Sequence, residues 1–227
     1  MKTIKLSTLP ILKKKVEINY EPVNILYEDA FLIAAFKPPF LLVHNDGNSQ
    51  DTLQARINGY LQLNGNKYPA QAIHRIDYET SGLVLFCKHP FFQAYCDKNM
   101  EEHHIKKDYI ALVQGHTNYK NKKIVSNIAR DRHNAKKMII HPNGKESISI
   151  FNTLKNYKDY SLIQVTILTG RKHQIRVQCA SLKHPILNDS LYGGKRIDNT
   201  GLLLQSHHIQ FNDIDVICPQ EKRFIRK

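Results

Sequence analysis

Gln71-Ala72-Ile73-His74-Arg75-Ile76-Asp77-Tyr78-Glu79-Thr80-Ser81-Gly82-Leu83-Val84-Leu85-Phe86-Cys87-Lys88 sets one acid, Asp77, between a basic pair and an apolar run. Gly82 to Phe86 is a short stretch of small and branched apolar residues and reads as a buried strand. In front of it, Thr80-Ser81-Gly82 reads as a tight polar turn. A carboxylate carried at the lip of a sheet in this way is held in place. Fixed placement of one reactive group is what a catalytic site requires and an ordinary surface loop does not.

Outward from this segment the chain alternates short strands with few helices, an α+β pattern. Residues 24–36 read as a pair of strands around Glu28-Asp29, stopped by Lys37-Pro38-Pro39. Leu53, Ile57, Tyr60 and Leu61 recur at the spacing of one helix face, with Ser49 or Asp51 as cap candidates. Phe91, Phe92, Tyr95 and Cys96 suggest a second helix after His89-Pro90, fading into the charged Asn99 to Lys107 segment. Tyr109 to Val113 is a strand by composition, and Tyr119 to Lys123 reads as an exposed connection. Residues 124–150 allow two or three strands, with Asn143-Gly144 as a tight-turn signal. Ile163, Val165 and Ile167 share one face of a further strand, which Gly170 breaks. Ile175, Cys179 and Leu182 then follow at helical spacing, packed against the sheet. With no internal repeat or low-complexity linker, residues 21–227 read as one domain behind an N-terminal extension, 1–20, too short for an RNA-binding module of its own.

The formal net charge of +13 over 227 residues favours a polyanionic partner, because lysine and arginine gain affinity by releasing counterions from phosphates. Apolar runs such as Phe31 to Phe36 are too short to cross a bilayer, and the lysine-rich N-terminus lacks the apolar core of a signal peptide. Cys87, Cys96, Cys179 and Cys218 make no Cys-x-x-Cys pair and read as reduced thiols of a cytoplasmic protein. His103-His104 and His207-His208 are adjacent pairs whose side chains diverge, so neither is a chelating face. No metal site is expected.

Four ordered blocks give the chain a family likeness. His74-Arg75-Ile76-Asp77 with Thr80-Ser81-Gly82 and the strand behind it resembles the catalytic signature of the RluA/RluD-type pseudouridine synthases, which isomerise uridine in structured RNA. Ile25 to Asp29, Lys37-Pro38 and Val43-His44 are similar to the family's opening block. Lys107-Asp108-Tyr109-Ile110-Ala111-Leu112-Val113-Gln114-Gly115 resembles its Lys-x-Tyr block. Leu168 to Val177, His184 to Asp189 and Leu191-Tyr192-Gly193 resemble its third block. The likeness runs from about residue 22 to about residue 212. It implies a central mixed, mostly antiparallel sheet in two lobes, flanked by helices, with an RNA-binding cleft. It also implies a bare catalytic domain without the S4-type module that some relatives carry in front.

The reaction so implied breaks the bond from uracil N1 to the ribose and joins C5 to the same sugar carbon. It requires no cofactor. The likeness puts the catalytic aspartate at Asp77, which could act as nucleophile at the base or sugar, or remove a sugar proton; sequence leaves these routes open. It puts the guanidinium partner of that acid at Arg176, expected as a bidentate ion pair. It puts at Tyr109 an aromatic that stacks on an extruded uracil, with its hydroxyl near the C5 proton. His74, Arg75, Lys107, Arg171 and Lys172 are expected to contact RNA, His74 chiefly by supporting the turn, and the tail Lys222-Arg223 to Arg226-Lys227 to follow phosphates. Leu202, Leu203 and Leu204 are expected at the uracil pocket.

The partner so implied is ribosomal or transfer RNA, and the default oligomeric state is a monomer. Tyr78, Pro39-Phe40 and Gln205-Ser206 depart from the family's usual residues near places that could touch RNA. A catalytically silent RNA-binding or ribosome-assembly protein of the same fold is the main alternative, and a metal-dependent nuclease a third.

Overall fold

Asp29 builds the first turn: its carboxylate accepts the N–H groups of Phe31 and Leu32, each at 2.7 Å. On either side, β1 (Asn24–Glu28) and β2 (Leu32–Lys37) pair antiparallel, as expected. The computed structural model describes residues 21–47 and 49–225, so the extension 1–20 and the tail residues Arg226 and Lys227 lie outside the described residues.

Helix α1 (Leu53–Leu63) is capped by Thr52, whose hydroxyl accepts the Ala55 N–H at 3.1 Å. Neither Ser49 nor Asp51 does this; the Asp51 carboxylate is engaged by Arg56 through two hydrogen bonds of 2.8 and 2.7 Å. β3 (Gln71–Ala72) and β4 (Ser81–Cys87) follow. Every residue of β4 is buried. Ser81 and Gly82 belong to this strand, paired with Gln205, Ser206 and Lys37, so the turn is Asp77–Thr80, closed by the Thr80 N–H to the Asp77 carbonyl at 3.1 Å.

Helix α2 (Pro90–Glu101) buries Cys96 and Asn99 and packs Phe92 and Met100 against the core. Phe91 and Tyr95 of the same helix are exposed. The i, i+4 stripe through Phe92 and Cys96 is the one that reaches the sheet.

β5 (Lys106–Gln114) runs through the centre, followed by β6 (Lys122–Arg130), β7 (Met138–Ile140), β8 (Lys145–Asn156) and β9 (Tyr160–Ile167). Tyr119 is buried edge-on against Phe151, so the segment expected to be exposed is anchored by it. The Asn143-Gly144 turn forms, with the Gly144 N–H on the His141 carbonyl at 2.8 Å. It joins strands that are not neighbours, since β7 and β8 pair with opposite edges of β6. Helix α3 (Gln174–Ser181) and strands β10 (Leu204–Phe211) and β11 (Ile214–Ile217) complete the main elements.

The strands form one mixed sheet in the order β1-β2-β4-β10-β5-β9-β8-β6-β7, with β3 and β11 pairing β4 and β10. All pairings between these strands are antiparallel except β4 with β10. The main core lies between one face of the sheet and helices α1 and α3, and includes Leu53, Ile57, Val84, Tyr109, Val165 and Ile175. Helix α2 covers part of the other face. The Asp77 turn feeds the strand at the parallel junction, while α3 approaches the same place from the other half of the sheet.

Candidate active site

The Asp77 turn is fastened from behind. Lys37 is fully buried, and its ammonium donates to the carbonyls of Pro38, Leu41 and Tyr78 at 2.8, 2.7 and 3.1 Å. Burial lowers its pKa to about 7, opposed by the charge of Asp77. Opposite, the Glu79 carbonyl accepts the Leu202 N–H at 3.1 Å. The backbone carrying the acid is therefore pinned on both sides.

Arg176 Nη1 meets Asp77 Oδ2 at 3.2 Å. The contact is single, contrary to the expected fork. Arg176 turns its Nε and Nη2 to Asp189, with both hydrogen bonds at 2.8 Å. A guanidinium satisfied by one carboxylate in bidentate geometry has a fixed plane, and here that plane aims the remaining nitrogen at the acid. Burial opposes the charge on Arg176, but Asp189 and then Asp77 outweigh it and raise its pKa.

His173 precedes α3 in a left-handed conformation, φ 55°. Its Nε2 is 3.8 Å from Asp77 Oδ2, and its Nδ1 is 2.9 Å from the Tyr192 hydroxyl. Burial pulls its pKa down to about 4, against the pull of Asp77, so the ring is neutral at ordinary pH. The Tyr192 hydroxyl also accepts the Met138 N–H at 2.8 Å, and Arg176 lies over the Tyr192 ring at 5.1 Å. The short turn from Asp189 to Tyr192 thus supports both neighbours of Asp77.

A cleft of about 570 Å³ opens in front of these groups. Its lining includes Asp77, Arg176, Tyr109, Lys107, His74, Arg75, Arg171, Lys172 and Leu204. Tyr109 is buried, and burial raises its pKa, so the hydroxyl keeps its proton. Lys107 stands two residues along the same strand face. It is buried too, its ammonium reaching the Met100 sulfur at 3.1 Å, and burial lowers its pKa to about 8.

Several sequence expectations change at this level. His74 is buried and neutral, its pKa lowered by burial to about 3, and its Nε2 accepts the Leu85 N–H at 3.2 Å; it braces β4. Arg75 and Lys172 are exposed, whereas Arg171 Nε donates to the Glu146 carbonyl at 2.9 Å. Arg223 is tied to Ser81 and Glu221 at 2.7 and 3.1 Å, closing the C-terminal segment onto the base of β4. Leu204 reaches the cleft, but Leu203 packs on the opposite face with Phe224, Ile110 and Leu112, and Leu202 is buried in the main core outside the lining. Gln205 and Ser206 are fully buried, and the Gln205 amide donates to the Pro219 carbonyl at 2.8 Å.

Asp189, His173, Tyr192 and Lys37 carried no assigned role in the sequence. All four lay inside matched blocks, but nothing in their spacing signals a shared contact. Among the described residues, no group of three or more His, Cys, Asp or Glu side chains gathers to hold a metal ion, and no helix is long and apolar enough to cross a membrane.

The sequence model of a family described as RNA pseudouridylate synthase matches residues 32–181. The uncharacterized RNA pseudouridine synthase YhcT of Bacillus subtilis is 36% identical over 203 residues, covering 88% of this chain and 66% of that protein. The ribosomal large subunit pseudouridine synthase D of Borreliella burgdorferi is 32% identical over 215 residues, covering 90% of this chain and 64% of that one. The chain therefore spans just under two thirds of the length of these relatives. Among solved structures, Human RNA Pseudouridylate Synthase Domain Containing 1 superposes with a TM-score of 0.75 at 23% identity, covering 90% of this chain and 86% of that one. Domain Containing 4 gives 0.73 at 19%, covering 88% and 90%. At those identities the likeness shows the fold.

Proposed function

The chain belongs to the RNA pseudouridylate synthase family, and on that premise we propose that it isomerises uridine to pseudouridine in structured RNA, with Asp77 acting on a uridine turned out of its helix. The observation that carries this reading is the Asp77 carboxylate in a cleft beside Arg176, with Tyr109 in the same lining. Ribosomal RNA is the first substrate to test, since relatives of the chain are named for the large ribosomal subunit; transfer RNA is the second. A cytoplasmic monomer without a metal or organic cofactor completes the reading.

In this mechanism the N1–C1′ bond breaks, the uracil turns, and a C5–C1′ bond forms, while C5 gives up its proton and N1 gains one. Arg176 holds Oδ2 of the Asp77 carboxylate in a site from which the base displaces water, and so fixes the direction of the group. The second carboxylate oxygen is left for the nucleoside, whether it attacks the base or sugar or removes a sugar proton. Tyr109 stacks on the uracil face. A protonated phenol can take the C5 proton only while passing on its own, so stacking is its first duty and proton exchange its second. Lys107, a buried cation beside Met100, supplies positive potential at the back of the cleft for the polyanion.

Pseudouridine has the mass of uridine, so chemical mapping is the appropriate assay. Cells with the wild-type protein, a deletion, and Asp77→Ala should show one or a few sites present only with the wild type. A site retained with Asp77→Ala contradicts the proposed role, and identical maps in all three favour a silent RNA-binding protein.

A further inference from the structure

Two aromatic side chains stand open beside the Asp77 turn. Phe40 is 46% and Tyr78 50% exposed, and their ring centroids are 5.9 Å apart, edge to face. Two large rings held against each other and half open to solvent beside a cleft present flat faces to whatever enters it. Phe40 also holds φ 62°, a region that bulky residues avoid and glycine occupies freely. The backbone is kept there by the Phe40 N–H, which donates to the Tyr78 carbonyl at 2.8 Å. That carbonyl also accepts from Lys37. The two rings are thus fixed to each other through the one turn that carries Asp77. Below them, Gly201 leaves room: a side chain there would meet Pro39 Cβ at 2.9 Å and Phe40 Cζ at 3.5 Å.

We propose that Phe40 and Tyr78 form a stacking platform for an unpaired nucleobase flanking the uridine that enters the cleft. The inference rests on the reading of the chain as an RNA-modifying enzyme. Tyr78 is covalently next to Asp77, so a strand with one nucleotide at the carboxylate brings its neighbour to the rings. Arg75, exposed on the other side of the acid, and the +13 charge suit a phosphate backbone. Flat apolar rings interleaved with such cations suit bases on that backbone. Stacking tolerates any base identity, so the platform acts on affinity and placement more than on sequence choice.

The chain contains no Trp, so Tyr78→Trp introduces a single indole at the site, which can be excited selectively at wavelengths where tyrosine does not absorb. The probes are an RNA hairpin with an unpaired loop and the same hairpin with an abasic loop, which keeps the phosphates. Expected are quenching of the Trp emission by the first hairpin and little change with the second. The double variant Phe40→Gly/Tyr78→Ala should weaken binding of the base-bearing hairpin about tenfold and leave the abasic one unaffected. Glycine takes the backbone conformation of residue 40 without strain, so the fold is retained. Unchanged emission and unchanged affinity while the RNA is bound overturn the platform and leave the enzyme reading standing. If the wild-type protein binds neither hairpin, the RNA reading fails and the platform falls with it.

Discussion

Arg176 gives two nitrogens to Asp189 and one to Asp77, and the order of those commitments decides what each substitution does. Asp189→Asn keeps the shape but weakens the fork. Breaking a buried pair costs about 3 kcal/mol, and the misaimed nitrogen should slow turnover by about a hundredfold. Denaturation and single-turnover rates check this; unchanged turnover would mean that something other than Asp189 aims Arg176. Lys107 is the reverse case, a buried cation whose ammonium meets a thioether sulfur. Lys107→Met should stabilise the protein by on the order of 2 kcal/mol at pH 7 while weakening RNA binding. The sign follows from its depressed pKa: below about 8 both folded and unfolded chains hold the proton and the burial cost is full. From there to about 10.5 only the unfolded chain holds it, so the advantage of the variant should fade as denaturation is repeated at rising pH.

At the scale of elements, β4 was legible because an apolar run this short and this continuous has few other readings. Helix α1 was legible because Leu53, Ile57 and Leu61 repeat on one face. Helix α2 was legible after His89-Pro90, but not which of its aromatics face inward, since Phe91, Phe92 and Tyr95 score alike and only packing against the sheet selects among them. Leu202 to Leu204 were read as one wall, but they lead into a strand, where side chains alternate faces. Gly82 could not be judged from sequence: at φ 110° it lies so close to β10 that an added Cβ would fall 2.1 Å from the Ser206 carbonyl oxygen. Gly82→Ala should therefore force the parallel β4–β10 pair apart and cost more than about 3 kcal/mol. A melting temperature within a few degrees of the wild type would contradict that close approach.

For the whole molecule, the sequence made the α+β class and the location of the cleft readable, because three of the four matched blocks line it. The Asp189 fork was not readable, because it joins residues 13 apart through an irregular loop. Two histidines, His74 buried and His173 partly buried, also set how the protein responds to acid. His74 and His173 have pKa values lowered by burial to about 3 and about 4. Between those values and the ordinary 6.5 the unfolded chain binds protons that the native one refuses, so stability falls as pH drops below about 6.5. Each contributes up to about 1.4 kcal/mol per pH unit. His74→Gln should flatten that slope in denaturation curves at pH 7 and pH 5; an unaltered slope would mean that His74 is charged in the fold. The catalytic account itself turns on Asp77. The most direct measurement is release of tritium from RNA labelled at uridine C5, with the wild-type protein and Asp77→Ala compared at equal RNA occupancy. The account predicts release by the wild type and none above background by the variant, which still binds the RNA. Release by Asp77→Ala at the wild-type rate would contradict it.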